Sequence, residues 1–425
     1  RDKSAQTSAR AARFQAYCAE RGEWLRRHAL HDAIDEHMRA VDGHRYWGWP
    51  TWPGELREPT HPGVQAFEQA HADLVEFHAW LQWLADEQLG EAQTLGRRLG
   101  MPIGLYGDYA VGVNPSGSET WSDQALYRKG VGVGAPPDAL ALKGQDWGIP
   151  PQDPNVLLAE QYRPFRNLVA ANMRHFGALR LDHVMALFRQ WWVPAGLGSI
   201  AGGYVHYPLD DLMSVLVLES ERHGCLVIGE DLGTVPPEMS HAMDDRAVYS
   251  YRVLLFAKRA DGSFIAPGEY PRRAIATATT HDLPTLRGYW SGGDIDLRQR
   301  LSLYPNEETR QHVADERVRD RHALLGALAD TGLKPAAASA APDAYTDELA
   351  YAIHVYLAQT ASALVVLQAE DLAGMPDPVN VPGTHDEHAN WQRKMACRID
   401  ELFGRESVRT LLRDVADARA VAGQG

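Results

Sequence analysis

Cysteine is scarce. The 425-residue chain carries three, Cys18, Cys225 and Cys397, far apart and never as CxxC. That excludes a disulfide framework and a structural zinc site and suits a reducing compartment, so the expected location is cytoplasmic. Long apolar runs are missing too. None reaches the roughly 18 residues that a membrane-spanning helix needs. Cations are in deficit: 42 Lys and Arg face 56 Asp and Glu, for a net charge of −14 and a pI near 5.7. This argues against a nucleic-acid or anionic-membrane partner, since both want a basic face. A neutral or cationic substrate fits better. There is no internal repeat, and compositional bias is confined to the Ala/Pro-rich stretch Lys334–Pro342, which reads as a surface linker. An initiating methionine and a signal peptide are also lacking. The chain opens at Arg1 and reads as a piece of something longer.

What is present is ordinary globular composition, 45 % hydrophobic and 23 % charged. The length suits two or three domains, or one large α/β barrel with insertions. Residues 1–100 are helical in pattern. Phe14, Tyr17, Cys18, Trp24 and Leu25 recur at roughly helical spacing. A second long pattern starts at Thr60 as N-cap, with Pro62 in its first turn and Val64, Phe67, Leu74, Phe77, Leu81 and Leu84 on one face. After Gly100 short apolar runs alternate with helical stretches. The expected strands are Pro102–Tyr106, Leu179–Met185, Cys225–Gly229, Tyr249–Phe256, Ala274–Ala278 and Ala363–Gln368. The amphipathic stretch Pro208–His223 separates two of them, which means parallel βα units. Six strands are two short of an eight-stranded barrel. The expected class is α/β: a (β/α)8 TIM-type barrel over residues 101–425 with helical insertions, one being residues 1–100 and another about 294–346, and with its first strands missing from this chain.

Charge appears where each strand runs out: L-R-L-D-H at Leu179–His183, I-G-E-D-L-G at Ile228–Gly233 and T-T-H-D-L at Thr279–Leu283. In a parallel barrel all C-terminal strand ends meet at one mouth, the usual place of the active site. Asp182, Glu230 and Asp282 are therefore candidate partners. A single strand-end carboxylate is as well explained by a loop that satisfies it, but three on successive units are not. They suit either glycoside transfer through an acid and a nucleophile or metal-assisted hydrolysis with His183, His281, His385 and His388 as neighbours. Arg180 discriminates. It shares a strand face with Asp182, and a guanidinium there favours an ionised carboxylate and repels a metal cation. Glu230 has no such partner in its own strand, as a protonated general acid requires. Aromatic platforms for sugar are available in loops at Tyr106, Trp121, Trp147, Tyr204 and Tyr207, although core packing is the commoner fate of any one. The Gly/Pro-rich segment Gly130–Gly148 reads as a lid or as a long connector.

Taken together and in order, the motifs identify a family. They are I-G-L-Y-G-D-Y-A-V-G-V at Ile103–Val113, G-S-E-T-W at Gly117–Trp121, G-A-P-P-D at Gly134–Asp138 and G-Q-D-W-G at Gly144–Gly148. The L-R-L-D-H, G-E-D-L-G and T-H-D-L-P-T stretches follow, and then V-P-G-T-H-D-E-H-A-N-W at Val381–Trp391. From about Phe14 to about Met395 the chain resembles the amylomaltases, the 4-α-glucanotransferase family related to the α-amylases, and most of all the bacterial maltodextrin-utilisation type. The resemblance implies retaining transfer of α-1,4-glucan segments between maltodextrins without cofactor or metal. It implies Asp182 as nucleophile, Glu230 as acid/base and Asp282 as transition-state stabiliser. Arg180 and His281 would contact the sugar or the nucleophile, and Asp108, Trp121, Asp146 and Trp147 would line the donor cleft and its lid. Ala389 stands where the family usually has proline. The family's first two barrel strands precede anything in this chain, so the barrel is expected to be open between its first and last strands. An α-glucan hydrolase of the same clan and a non-catalytic glucan-binding fragment are the competing expectations.

Overall fold

Apolar spacing in residues 1–100 produces two long helices, Lys3–Asp42 and Ala72–Arg98, in a computed structural model that describes residues 3–137, 143–384 and 387–422. The first helix kinks at Gly22, whose φ of 55° is the left-handed conformation glycine tolerates. The pattern expected from Thr60 breaks in two. His61 rather than Thr60 is the cap, its ring nitrogen accepting from Gly63 N at 3.0 Å. The helix Pro62–Ala70 then ends at His71, which leaves the helical region. Leu30, Ile34, Trp49, Trp52, Phe67 and Trp121 form the core of this part. Phe77 and Leu81 face outward, and Ala79 and Trp83 are the buried positions. Among the described residues no helix is long and apolar enough to cross a membrane.

By compactness the chain divides into two units. One comprises residues 1–227 and 235–242, the other residues 228–234 and 243–425. Residue 100, where the composition changes, falls inside the first unit. There the Gln93 side chain donates to Ile103 O at 3.0 Å and accepts from Leu105 N at 2.6 Å. Those bonds also explain why the first strand starts late, at Tyr106. Gln93 takes the backbone groups of 103 and 105 that a ladder would use, and Gly104 sits at φ 73°.

In the first unit β1 (Tyr106–Tyr109) pairs in parallel with β4 (Ala178–Leu181), and Asp108 lies opposite Arg180. β7 (Leu226–Gly229) begins in this unit, where Leu226 N donates to Gly177 O, just before β4, at 2.9 Å. The helix Leu209–His223 leads into β7 and is closed by Gly224 in the left-handed conformation. A second sheet was not expected: β2 (Val131–Ala135), β3 (Gln145–Ile149), β5 (Arg189–Pro194) and β6 (Gly203–His206) are antiparallel, in the order β3-β2-β5-β6. The Gly130–Gly148 segment is thus largely a β-hairpin. Its residues 138–142, with Asp138 of G-A-P-P-D, lie outside the described residues.

In the second unit β8 (Ser250–Val253), β9 (Ala274–Thr277) and β10 (Leu364–Val366) form a parallel sheet in the order β10-β9-β8. Five of the six expected strands are shorter than their apolar runs, and the first is displaced to Tyr106–Tyr109. The run from Leu179 ends at Leu181 because His183 adopts φ 49° and starts a 3-10 turn, and Leu254–Phe256 likewise turns out of β8. The helices Gly293–Arg300 and Glu307–Asp330 lie between β9 and β10 in sequence. The C-terminal helix Glu406–Ala422 packs Leu411 and Val415 on Val355 and Ala358. Its Arg419 donates to four carbonyls, those of Ala358, Thr360, Ser362 and Ala363, which hold the turn from the helix Asp347–Ala358 into β10. Arg419→Ala removes every one of these donors. It is expected to lower unfolding stability by about 2 kcal/mol, read as a lower urea midpoint. An unchanged midpoint would mean that water replaces the guanidinium at no cost.

Candidate active site

Register explains the first cluster. Because Asp108 and Arg180 are cross-strand partners, their side chains meet at the C-terminal ends of β1 and β4. The buried Arg180 guanidinium donates from Nη1 to both Asp108 oxygens, at 2.7 and 2.9 Å. Its Nη2 lies 2.9 Å from Asp182 Oδ1. One cation thus orients two carboxylates, and Asp182 remains about a third exposed while the cation is buried. Asp182 N donates to Tyr109 O at 3.0 Å, so the backbone holds the same turn. The left-handed His183 follows at once. Strained backbone of this kind persists only where surrounding contacts hold it. Burial pulls the His183 pKa down to about 4, which keeps its ring neutral at pH 7. A cavity of about 260 Å³ is bounded by Asp108, Tyr109, Asp182, His183, Gln190 and Tyr207.

The strand β3 contributes two of the expected residues, on opposite faces. The Trp147 ring meets the His183 ring edge-on, with centroids 5.4 Å apart. Its indole N–H donates to Gln145 Oε1 at 3.1 Å. Asp146 faces the other way, into a cleft of about 630 Å³ also lined by Trp49, Arg57 and Lys129, and accepts from Gly148 N at 3.0 Å. Trp121 needs a correction. It is fully buried against Trp52 and His31, and its indole N–H donates to Leu56 O at 3.0 Å. It is a core residue of the helical region and offers no face to a ligand. Tyr207 is buried as well, with its hydroxyl at Gln152 O and Gln190 Oε1.

Glu230 occupies the turn after β7, in the second unit. It is buried, and its Oε1 accepts from Leu232 N at 2.8 Å. The next residue anchors that turn. Asp231 accepts from Tyr251 N at 2.7 Å and from Arg252 Nη1 at 3.0 and 2.9 Å, which ties it to β8. Burial raises the Asp231 pKa, and Arg252 opposes the rise.

The loop after β9 carries His281 and Asp282. His281 Nε2 is 3.1 Å from Asp282 Oδ2, and Asn380 Nδ2 donates to Asp282 Oδ1 at 2.6 Å. Asn380 N also donates to His281 O at 3.1 Å, so this one asparagine braces both residues. The Trp391 ring lies 5.1 Å from the His281 ring. Asn390 is a loop organiser: it accepts from Val381 N and donates to Thr384. His385 lies outside the described residues. Sequence reasoning missed Asn380, Asp231 and Arg252. The available signals were the place of Asp231 inside G-E-D-L-G, of Asn380 one residue before V-P-G-T, and of Arg252 on the following strand. Among the described residues no group of three His, Cys, Asp or Glu side chains is placed to hold a metal ion.

Beneath this loop Asp371 is buried and accepts from Thr279 Oγ1 at 2.8 Å and Leu286 N at 2.7 Å. Burial pushes its pKa up to about 6. The folded state therefore binds this proton more tightly than the unfolded chain. The stabilisation is complete below the unfolded value near 3.8 and is lost as pH rises through about 6, at a cost of about 3 kcal/mol. Asp371→Asn keeps the shape and removes the charge. The stability difference between variant and parent should shift in the variant's favour from pH 4 to pH 8, measured by denaturant unfolding. Parallel stability profiles would show that Asp371 is ionised at no penalty.

A profile of the 4-alpha-glucanotransferase family matches residues 1–399. A 4-alpha-glucanotransferase of Haemophilus influenzae is 39 % identical over 425 residues, covering 99 % of this chain and 60 % of its own length. One from Mycobacterium tuberculosis is 39 % identical over 367 residues, 83 % of this chain and 50 % of that protein. The chain thus spans 50–60 % of the length of these relatives. The crystal structure of amylomaltase from Corynebacterium glutamicum superposes with a TM-score of 0.82 at 32 % identity, covering 97 % of this chain and 56 % of that one. Amylomaltase from Streptococcus agalactiae, solved with acarbose, reaches 0.73 at 18 % identity, over 97 % of this chain and 75 % of that one, a likeness of fold. The parallel βα units described above are those of this (β/α)8 barrel class.

Proposed function

The chain belongs to the 4-alpha-glucanotransferase family, and we propose that it carries the three catalytic carboxylates of a retaining transfer of α-1,4-glucan segments between maltodextrins. The observation that carries this reading is the Arg180 fork, which holds Asp182 at 2.9 Å and Asp108 at 2.7 Å at the end of a parallel strand. A buried guanidinium there keeps a carboxylate charged and aimed, as a nucleophile requires, and disfavours a metal.

Asp182 attacks the anomeric carbon while Glu230 gives its proton to the departing 4-oxygen. A covalent glycosyl-enzyme forms with inversion. Asp282, held by Asn380 and His281, stabilises the oxocarbenium-like charge and grips sugar hydroxyls. Glu230, now a carboxylate, takes the proton of an incoming glucan 4-OH as that oxygen attacks. A second inversion returns the α configuration. Trp147, whose ring meets that of His183, the residue after Asp182, offers an apolar face to a pyranose ring, which favours sugar over water at the acceptor stage. The chemistry draws on side chains alone, and the substrates are neutral α-1,4-glucans, in keeping with the acidic chain. Maltotriose tests the reading. Incubation should yield glucose, maltose and a ladder of longer maltodextrins. Glucose and maltose alone would mean hydrolysis, and binding without turnover would mean a glucan-binding protein.

A further inference from the structure

The neck of the β2–β3 hairpin is clasped from outside by residues that belong to no motif. Ser199, in the 3-10 turn Ser199–Ala201, is buried, and its hydroxyl donates to Ala135 O, the last carbonyl of β2, at 2.6 Å. Ser199 is itself held: the Trp191 indole N–H donates to Ser199 O at 3.0 Å. Three glycines allow this approach. A Cβ on Gly144 would lie 2.3 Å from Ser199 Oγ and 2.7 Å from Ala135 O, one on Gly202 2.4 Å from Trp191 Nε1, and one on Gly134 2.0 Å from Gln145 O. Gly144 is moreover at φ 68°, where a side chain is strained. No side chain larger than hydrogen fits at any of the three without displacing its neighbour.

The clasp leads to the candidate site. Ala135 pairs with Gln145 across the ladder, and the Gln145 side chain accepts from the Trp147 indole. Trp147 in turn meets His183, the residue after Asp182. Ala135 pairs with Gln145 and Gly134 with Asp146 before the register shifts, so fixing Ala135 fixes Gln145, and it is the Gln145 side chain that holds the Trp147 indole beyond the paired stretch.

We propose that Ser199 is a positioning residue: through Ala135 and Gln145 it sets the Trp147 ring against His183, the residue after Asp182. The assignment rests on glucan transfer at Asp182. Ser199 touches neither substrate nor nucleophile, and its effect passes through Trp147. Three variants test it: Ser199→Ala, Trp147→Ala and the double variant. Ser199→Ala should lower kcat/KM for maltotriose disproportionation about fivefold to tenfold, and the double variant should be no worse than Trp147→Ala. Multiplying effects, or parental kinetics for Ser199→Ala, would overturn the assignment, because a merely structural serine acts independently of Trp147.

A second measurement does not need turnover. Amide hydrogen exchange at Gln145–Gly148 should quicken about tenfold in Ser199→Ala. It should not change in Ser214→Ala, whose hydroxyl bonds Asp210 O on an exposed helix face. If the parent protein leaves maltotriose untouched, the glucan-transfer reading fails on its own. Exchange then still decides the clasp, with unchanged protection overturning it.

Discussion

Asp182→Asn should reduce maltotriose disproportionation by at least about a thousandfold, with maltodextrin affinity held within about threefold. The substitution preserves volume, and the amide oxygen can still accept from Arg180 Nη2, which now stands 2.9 Å from Asp182 Oδ1. Arg180 also keeps both bonds to Asp108, so the fork survives. What disappears is the anion proposed to attack carbon. Steady-state rates, together with calorimetric titration of a maltodextrin, separate the two effects. A variant keeping a tenth of parental turnover would remove Asp182 from the nucleophile's role.

Glu230→Gln should divide donors by their leaving groups. With natural glucans the departing oxygen needs a proton, and the rate should fall about 10²–10⁴-fold. A glycosyl fluoride needs none, so the first step should recover and the second, which needs a base, should stall. The covalent glycosyl-enzyme should accumulate and be visible as added mass on the intact protein. The site tolerates the change locally: Leu232 N can donate to the amide oxygen as it does to Glu230 Oε1, and Asp231 keeps the turn tied to Tyr251 and Arg252. Equal inactivity toward both donors in the first step would refute Glu230 as the acid.

Much of the parallel part of the fold was legible because β7, β9 and β10 are apolar runs and β4 breaks its own only at Arg180. Leu179–Leu181 followed by Asp182, and Leu226–Gly229 followed by Glu230, mark both a strand end and a candidate site residue by the same change of polarity. The antiparallel sheet was not legible. V-G-V-G-A, Q-D-W-G-I and R-Q-W-W-V-P carry glycine, tryptophan and charge in place of alternation. Their pairing depends on partners up to 63 residues away, as Val131 with Pro194 shows. Trp121 illustrates the opposite failure: its motif suggested a cleft, and packing against Trp52 and His31 decided otherwise.

The sequence by itself determined the carboxylates, the spacing of about fifty residues between them, and through i, i+2 geometry the pairing of Arg180 with Asp182. Those are consequences of local backbone geometry and of side-chain chemistry, which a linear chain already contains. Only the tertiary structure decided that Asp108 shares Arg180, that Asn380 braces Asp282, that Asp371 is buried beneath Thr279 and Leu286, and that Ser199 closes the neck carrying Trp147. Each of these is a contact between residues 64 to 98 positions apart. A hydrogen bond acts over about 3 Å, so such a contact exists only once strand register and loop path have brought the two groups together.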